Sequence, residues 1–270
     1  MNTELFDIHS HLNLDPLYAT RDAVIVRMRE HGVKSITVGV DFAMSTRAIE
    51  LAIEYPDTLW ATVGMHPCDN MDEQFDYAEY RTLAQNAKVV AIGECGLDYF
   101  RLPEHAETQE IAIIRQKGIF KQHIELAKEV GKPLMIHARP SKGSMDAYED
   151  ALDILEEQLT HTVANVHVNF HFFVGNITIA ERIVKNGWSV SYDGPITFSH
   201  EYDAVIASVP LEHLMCETDA PFAAPVPYRG KTCEPWMVGE VYKRIAEIKN
   251  VPIEEVVSTV RANVTRVFGI

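Results

Sequence analysis

Eight short apolar runs, separated by segments with helical periodicity, limit the fold of this chain more than any other feature. Strands that are apolar on both faces and alternate with helices are typical of a parallel sheet covered by helices. The runs lie at Leu5–Ile8, Ser35–Val40, Leu59–Val63, Val89–Ile92, Pro133–Ile136, Asn165–Phe170, Trp188–Tyr192 and His213–Cys216. Eight strand–helix units in 270 residues predict a (β/α)8 TIM-type barrel, formed as a single domain over residues 1–270.

Amphipathic segments follow most of these runs, as the barrel requires. They lie at Arg21–Glu30, Met44–Glu54, Ile111–Val130, Tyr148–Gln158, Ile177–Asn186 and Glu201–Ala207, with Trp236–Ile248 and Glu254–Phe268 as terminal helices. An open, doubly wound sheet is the alternative fold. It is disfavoured because no glycine-rich phosphate-binding loop follows the first run.

Charge and composition exclude several classes of protein. A net charge of −15 argues against extensive binding to duplex nucleic acid, although bound cations and a few local Arg or Lys side chains can reverse the sign within one cleft. No apolar run is long enough for a transmembrane helix, and we expect neither a signal peptide nor a membrane partner. Four scattered cysteines are typical of free thiols in a cytoplasmic protein: Cys68, Cys95, Cys216 and Cys233. No obligate protein partner is evident.

Histidines and carboxylates occur where several predicted strands end. His9 and His11 alternate along the first strand, so their side chains share one face. Further polar side chains at predicted strand ends are His66, Glu94, His137, Arg139, His171 and Asp219. The carboxyl ends of barrel strands meet at the face that carries active sites. Imidazole and carboxylate ligands without thiolate suit a hydrolytic centre that uses zinc, manganese or a similar ion.

Six motifs together resemble the TatD family of metal-dependent deoxyribonucleases, a family of amidohydrolase-like barrels. They are Asp7-x-His9-x-His11, Gly64-x-His66-Pro67, Gly93-Glu94-Cys95-Gly96-Leu97-Asp98-Tyr99, His137-x-Arg139, a histidine on strand six (His171), and Glu217-Thr218-Asp219-Ala220-Pro221. The resemblance extends from Phe6 to Phe268, and the blocks around Glu94 and Asp219 are its most specific parts.

The resemblance implies two divalent metal ions per chain, which would be zinc, manganese or magnesium. The implied ligands of the first ion are His9, His11, Glu94 and Asp219, and those of the second are Glu94, His137 and His171. Glu94 would bridge the ions, and the pair would activate a water and polarise a phosphoryl oxygen. Asp219 is the predicted general base, and it forms the predicted catalytic pair with Glu94. A glutamate at strand four also separates this chain from amidohydrolases with a carboxylated lysine bridge.

Four further residues are predicted to contact substrate. His66 and Arg139 match family positions that face the scissile phosphate. Arg229 and Lys231, on the loop after strand eight, are candidate phosphate clamps, with a solvated loop as the alternative interpretation. Tyr99 and Phe100 are candidates for stacking on a base, although aromatic side chains more often serve packing.

The chain departs from the family pattern near the predicted pocket mouth. The family's His-Cys-Phe-Ser-Gly after strand six is replaced here by His171-Phe172-Phe173-Val174-Gly175. Cys233 stands where an asparagine is usual, and Cys68 where a histidine often follows His-Pro. These changes remove no implied ligand, so they concern the choice of substrate rather than the type of reaction.

Three functional hypotheses follow. The first is a metal-dependent hydrolase that cleaves DNA phosphodiester bonds, acting as a 3′→5′ exodeoxyribonuclease on single-stranded ends. The second keeps the metal centre but acts as an amidohydrolase or esterase on a small molecule or on aminoacyl-tRNA. The third is a non-catalytic interaction protein with a structural metal site, which the ligand set disfavours because structural zinc sites usually close with four protein ligands.

Overall fold

A computed structural model describes residues 4–68, 74–159 and 166–270, which form a barrel of eight parallel strands in sequential order. The strands are β1 (Leu5–Ser10), β2 (Val33–Thr37), β3 (Leu59–Val63), β4 (Val89–Asp98), β5 (Leu134–Arg139), β6 (Val168–Phe170), β7 (Ser189–Tyr192) and β8 (Leu214–Cys216). The chain following β8 meets the end of β1, where the His11 amide donates to the Ala220 carbonyl at 2.6 Å. The predicted barrel is therefore confirmed.

Helices surround the described part of the barrel. They are α1 (Arg21–Glu30), α2 (Phe42–Glu54), α3 (Tyr77–Ala84), α4 (Ala106–Val130), α5 (Asp146–Leu159), α6 (Ile177–Lys185), α7 (Asp203–Ser208), α8 (Val238–Lys249) and α9 (Ile253–Phe268). Over the described residues, no helix has both the length and the apolar character needed to cross a bilayer.

All eight predicted strands are present, but β4 extends to Asp98 rather than ending at Ile92. Its second half pairs with β5, where Gly96 lies opposite His137. Gly96 has φ +138°, and a Cβ there would lie 2.1 Å from the His137 carbonyl oxygen, so only glycine fits. Glu94 therefore projects from within a strand rather than from a loop. The predicted start of strand six, Asn165, lies outside the described residues.

Helix α3 is absent from the sequence-based prediction. Its N-cap Asp76 accepts hydrogen bonds from the amides of Ala78 and Glu79 at 3.0 and 3.1 Å. Tyr80 and Ala84 form its buried face. An aspartate followed three residues later by a glutamate is a local signature of a helix start, so this short helix was predictable from the sequence.

The first strand is anchored to its neighbours by a buried carboxyl group. Asp7 accepts hydrogen bonds from the Thr218 amide at 2.9 Å, from the Thr218 hydroxyl at 2.8 Å and from the Ser35 hydroxyl at 3.3 Å. These bonds tie β1 to β2 and to the segment that follows β8. Asp7 thus fixes the relative position of His9 and Asp219 by joining the backbones that carry them.

Candidate metal centre

The predicted ligands of the first ion meet at the carboxyl end of the barrel. The Nε2 atoms of His9 and His11 are 3.2 Å apart, and Asp219 Oδ1 lies 3.7 and 3.3 Å from them. Glu94 Oε2 completes the group, at 3.4 Å from His9 Nε2 and 3.7 Å from His11 Nε2. The two imidazoles and Asp219 form one group of closely spaced ligand atoms, with Glu94 beside both imidazoles, and this donor chemistry fits a divalent cation.

The predicted ligands of the second ion gather around the other oxygen of the same carboxylate. Glu94 Oε1 lies 2.8 Å from His171 Nε2 and 3.0 Å from His137 Nδ1, and these two nitrogens are 3.3 Å apart. Each oxygen of Glu94 thus faces a different group of imidazoles. This arrangement is the one that a carboxylate bridging two ions would adopt.

Hydrogen bonds at the far side of two rings set the tautomers that metal binding requires. His11 Nδ1 lies 3.2 Å from the Val38 carbonyl oxygen, so Nδ1 carries the proton and Nε2 keeps its lone pair. His137 Nε2 lies 3.2 Å from Asp98 Oδ2, so its Nδ1 is the free lone pair. In both rings the unprotonated nitrogen faces Glu94 or Asp219, as a ligand nitrogen must.

The outer ring nitrogen of His171 faces a carboxylate, whereas that of His11 faces a backbone carbonyl. His171 Nδ1 lies 3.4 Å from Glu217 Oε1. Glu217 is itself held by the Phe172 amide at 2.7 Å and by the Ser191 hydroxyl at 2.5 Å. A carboxylate behind a ligand imidazole orients the ring and increases its basicity, so Glu217 acts on the site through His171.

Asp98 positions His137. From the sequence it was recognised only as part of the Gly93–Tyr99 motif, with no role of its own. Besides His137, it accepts hydrogen bonds from the Phe100 amide at 3.0 Å and from the Arg101 amide at 2.9 Å. Burial alone would raise the pKa of Asp98, but its hydrogen bond with His137 and the nearby Arg101 lower it to about 2. Asp98 is therefore ionised near neutral pH and fixes the orientation of His137.

His66 also approaches Glu94, but through its protonated ring nitrogen. The Cys68 amide donates to His66 Nδ1 at 3.2 Å, so the proton of the neutral ring lies on Nε2. That nitrogen is 3.7 Å from Glu94 Oε1. A protonated nitrogen is a hydrogen-bond donor and not a metal ligand, which supports the predicted role of His66 as a substrate contact even though its position would suit a ligand.

Replacing His66 with alanine is expected to leave the metal content of the chain unchanged and to raise the KM for a phosphodiester substrate by about tenfold. A loss of that size corresponds to one hydrogen bond to a charged group. Elemental analysis and steady-state kinetics of the same preparation measure both effects. His137→Ala is the matched comparison, because it removes a predicted ligand and should lower the metal content. Loss of an ion from the His66 variant would show that His66 is a ligand.

The two central carboxylates remain ionised despite their burial. Burial would raise the pKa of Glu94, but the imidazoles of His171, His66 and His9 together hold it well below its usual value. The pKa of Asp219 is likewise lowered, because its bond with His11 outweighs the cost of burial. The site thus presents two anionic ligands to a cation.

The backbone of Asp219 adopts an unusual conformation. Its φ is +52°, a left-handed value that aspartate and asparagine tolerate better than most residues. The Asp219 amide donates to the His9 carbonyl at 2.9 Å, and the Asp219 carbonyl accepts from the Phe222 amide at 2.9 Å. This turn directs the carboxylate toward His9 and His11 rather than toward solvent.

A cavity of about 690 Å³ opens above these ligands. Its wall includes the predicted substrate contacts His66 and Arg139, and also Phe172 and Val174 from the segment that departs from the family pattern. The other two departures, Cys68 and Cys233, do not appear in the described wall of this cavity. Cys233 is instead buried.

The structure does not bring Arg229 and Lys231 into this cavity, as far as its described lining extends. The Arg229 guanidinium carbon lies 3.8 Å from the centre of the Phe198 ring, and Lys231 Nζ lies 5.9 Å from the centre of the Tyr228 ring. These two cations thus lie beside aromatic rings of the outer loops. Their direct contact with a substrate in the cavity is therefore not supported.

A buried histidine supports the backbone that precedes His66. The Met65 amide donates to His123 Nε2 at 3.0 Å, and His123 Nδ1 lies 2.9 Å from the Ile119 carbonyl oxygen. Both bonds require a neutral ring. Burial lowers the pKa of His123 from 6.5 to about 4, so the ring is neutral at pH 7.

His123 is expected to make the protein less stable in mild acid. Because an unfolded histidine takes up a proton near pH 6.5 and the folded one only near pH 4, its contribution is complete above pH 6.5 and is lost as the pH falls toward 4. The loss amounts to about 3 kcal/mol of unfolding free energy. Urea unfolding of wild type and of His123→Gln, both with chelator, tests this, since glutamine can accept the Met65 bond without titrating. Parallel pH profiles for the two proteins would contradict it.

A parallel barrel with imidazoles and carboxylates clustered at its carboxyl end defines a class of metal-dependent hydrolases. The family model described as TatD related DNase matches residues 6–269, so the chain belongs to the TatD family and is a metal-dependent hydrolase. This assignment favours the two hydrolase hypotheses over a non-catalytic interaction protein.

Known relatives agree with this assignment. The uncharacterized metal-dependent hydrolase YabD of Bacillus subtilis is 38% identical over 270 residues, covering 98% of this chain and 99% of YabD. The uncharacterized metal-dependent hydrolase YcfH of Escherichia coli is 32% identical over 272 residues, covering 98% of this chain and 96% of YcfH. The crystal structure of YjjV, a TatD homologue from Escherichia coli, superposes with a TM-score of 0.86 at 27% identity and covers all of both chains.

Proposed function

We propose that this chain hydrolyses phosphodiester bonds of DNA and acts as a 3′→5′ exodeoxyribonuclease on single-stranded ends. The observation that carries the proposal is the position of Glu94, whose two oxygens face separate groups of imidazoles at the floor of a cavity. Hydrolysis of phosphodiesters is a common use of paired divalent ions. DNA as substrate and the direction of degradation rest on the family.

The proposed cofactors are two divalent cations, with zinc, manganese and magnesium as candidates. The residues that would hold the first are His9, His11, Glu94 and Asp219, and those that would hold the second are Glu94, His137 and His171. When bound, such ions offset negative charge on the scissile phosphate and promote ionisation of the attacking water.

The chain's own residues supply the remaining parts of the reaction. Asp219, which is ionised and lines the cavity, accepts the proton of the attacking water. His66 donates a hydrogen bond from Nε2 to a phosphate oxygen, because its other nitrogen is occupied by the Cys68 amide. Arg139, on the cavity wall, offers a guanidinium to the same phosphate.

The shape of the cavity supports a single-stranded substrate. The candidate ligands lie at its floor, where a strand end reaches more easily than the middle of a duplex. Two exposed aromatic side chains line it, Phe100 at 53% and Phe222 at 55% exposure. Exposed aromatic rings near a phosphate-binding site are a common means of stacking unpaired bases.

A small-molecule amide or ester, or an aminoacyl-tRNA, remains the second candidate substrate. The observation that favours it is the apolar part of the wall, where Phe172 and Val174 replace the smaller or polar residues of the family pattern. The net charge of −15 also favours a small substrate over a long polyanion.

The test is digestion of 5′-labelled single-stranded DNA by purified protein with Mg²⁺, Mn²⁺ or Zn²⁺. We expect a ladder of labelled products that are shortened from the 3′ end. Blunt duplex DNA should be degraded more slowly, and excess EDTA should abolish the reaction. A panel of amides, esters and aminoacyl-tRNA is assayed in parallel. Turnover of that panel with no cleavage of DNA would replace the first candidate by the second.

A further inference from the structure

A short turn after β5 forms part of the cavity wall and is fixed at both ends. The Ser144 amide donates to the Ser141 carbonyl at 3.0 Å. Asp146, the first residue of α5, accepts from the Ser141 amide at 2.9 Å and from the Ser141 hydroxyl at 2.5 Å. The Ser144 hydroxyl accepts from the Asp146 amide at 3.1 Å. This turn, residues 141–146, presents Lys142 to the cavity.

Among the described residues, Lys142 differs from Arg101 and Arg139 in that its ammonium group has neither an ion pair nor a ring contact. Arg101 Nε lies 3.1 Å from Asp98 Oδ2, so much of its charge is already balanced. The guanidinium of Arg139 lies over the Phe100 ring, with its carbon 4.1 Å from the ring centre. Within the described parts of the chain, Lys142 has no carboxylate partner.

The cations of the cavity wall lie on one side of it. Arg101 follows β4, Arg139 ends β5 and Lys142 follows β5, with Phe100 beneath Arg139 on the same side. The segments that follow β6 and β8 contribute the apolar Phe172, Val174 and Phe222 on the other side. A nucleotide strand has the same division, with phosphates along one side and bases along the other. If the scissile phosphate lies at the candidate metal centre, the neighbouring phosphate falls to the cationic side when the base stacks on the apolar side.

We propose that Lys142, held by the turn of residues 141–146, binds the phosphate adjacent to the scissile one, so that the preferred substrate is an oligonucleotide and not an isolated phosphodiester. This inference rests on the proposed function. The turn reduces the freedom of the Lys142 backbone, which lowers the entropy lost when its ammonium group binds a phosphate. Lys142 is thus a specificity residue, distinct from those that act on the scissile bond.

The first experiment measures Lys142→Gln on single-stranded oligonucleotides. We expect KM to rise about tenfold while kcat stays within about twofold, because the contact acts equally in ground and transition states. The dependence of log(kcat/KM) on log salt should become shallower by about 0.7, the value for one contact to a single strand. Lys142→Arg should restore most of the affinity. Bis(p-nitrophenyl) phosphate, which has no adjacent phosphate, should be hydrolysed equally by all three proteins.

The matched control is Lys185→Gln, which makes the same charge change at the far end of α6. It should behave as wild type if the effect is local, whereas a net-charge effect would weaken both variants equally. Equal weakening, or a Lys142 variant with wild-type KM and salt dependence, would overturn the proposal.

A second experiment isolates the contact itself. Oligonucleotides with a neutral methylphosphonate on one or the other side of the scissile linkage remove the adjacent charge. Wild type should lose about tenfold in kcat/KM on one of them, and Lys142→Gln should lose nothing further. Additive losses would overturn the proposal. Failure of the proposed function is a separate result, in which wild type cleaves no oligonucleotide at all.

Discussion

Replacing Glu94 with glutamine is expected to reduce bound divalent metal to one ion or fewer per chain and to lower kcat/KM by about 10³-fold or more, the scale of losing a main electrostatic element of an active site. The reason is geometric. One Glu94 oxygen lies 2.8 Å from His171 Nε2 and the other lies 3.4 Å from His9 Nε2, so a single substitution weakens both groups of ligands. Glu94→Ala should have the same effect without leaving an amide in the site.

Elemental analysis after dialysis against limiting metal, combined with the nuclease assay, measures both losses. The control is Glu157→Gln, which removes an equal charge from a side chain that is 72% exposed on α5. It should keep full metal content and full activity. Unchanged metal stoichiometry in the folded Glu94→Gln protein would rule out a bridging role for this carboxylate.

The Asp219→Asn substitution is expected to lower kcat by about 10³-fold, within the range for removal of a general base, and to change KM by only a few fold. Asparagine tolerates the left-handed backbone at this position, where φ is +52°, so the turn should persist. It keeps an oxygen that can contact a cation but cannot accept a proton. The loss should therefore fall on the chemical step more than on substrate binding.

Asp193→Asn offers a matched control for this prediction. Asp193 is also a buried aspartate beyond a strand end, in this case β7. Burial, reinforced by Glu217 and Asp219, raises the pKa of Asp193 well above its usual value and so favours the neutral carboxyl group, which asparagine matches in size and shape. We expect kcat within about twofold of wild type. Equal losses in both variants would show that Asp219 serves the structure of the site rather than proton transfer.

The pattern of apolar runs was sufficient to predict the barrel, because parallel strands buried on both faces leave a clear signal in one sequence. The length of β4 was not predictable in this way. Its second half contains Gly93 and Gly96, which lower strand propensity, and it exists because it pairs with β5, which lies far along the chain. The position of Glu94 between two groups of imidazoles depends on that pairing.

Loop contacts were the least predictable part of the site. Arg229 and Lys231 follow strand eight, as a phosphate clamp would, yet they pack on Phe198 and Tyr228. Lys142 has no distinguishing local sequence, and its place in the cavity wall depends on how β5 ends and how Asp146 holds the turn. Such placements are set by tertiary contacts, which composition and periodicity do not encode.

Spacing also could not distinguish ligands from substrate contacts among the histidines. His66 and His137 both occur near strand ends and both approach Glu94. The difference is the partner of the second ring nitrogen, which is an amide donor for His66 and the carboxylate of Asp98 for His137. The role of each ring is thus decided by hydrogen bonds that form only in the folded protein.

Anomalous diffraction from crystals grown with Mn²⁺ or Zn²⁺ is the most direct test of whether Glu94 lies between two cations. We expect two anomalous peaks per chain, one among His9, His11 and Asp219 and one beside His137 and His171, with Glu94 in contact with both. A single peak away from Glu94, or none in metal-saturated crystals, would contradict this expectation.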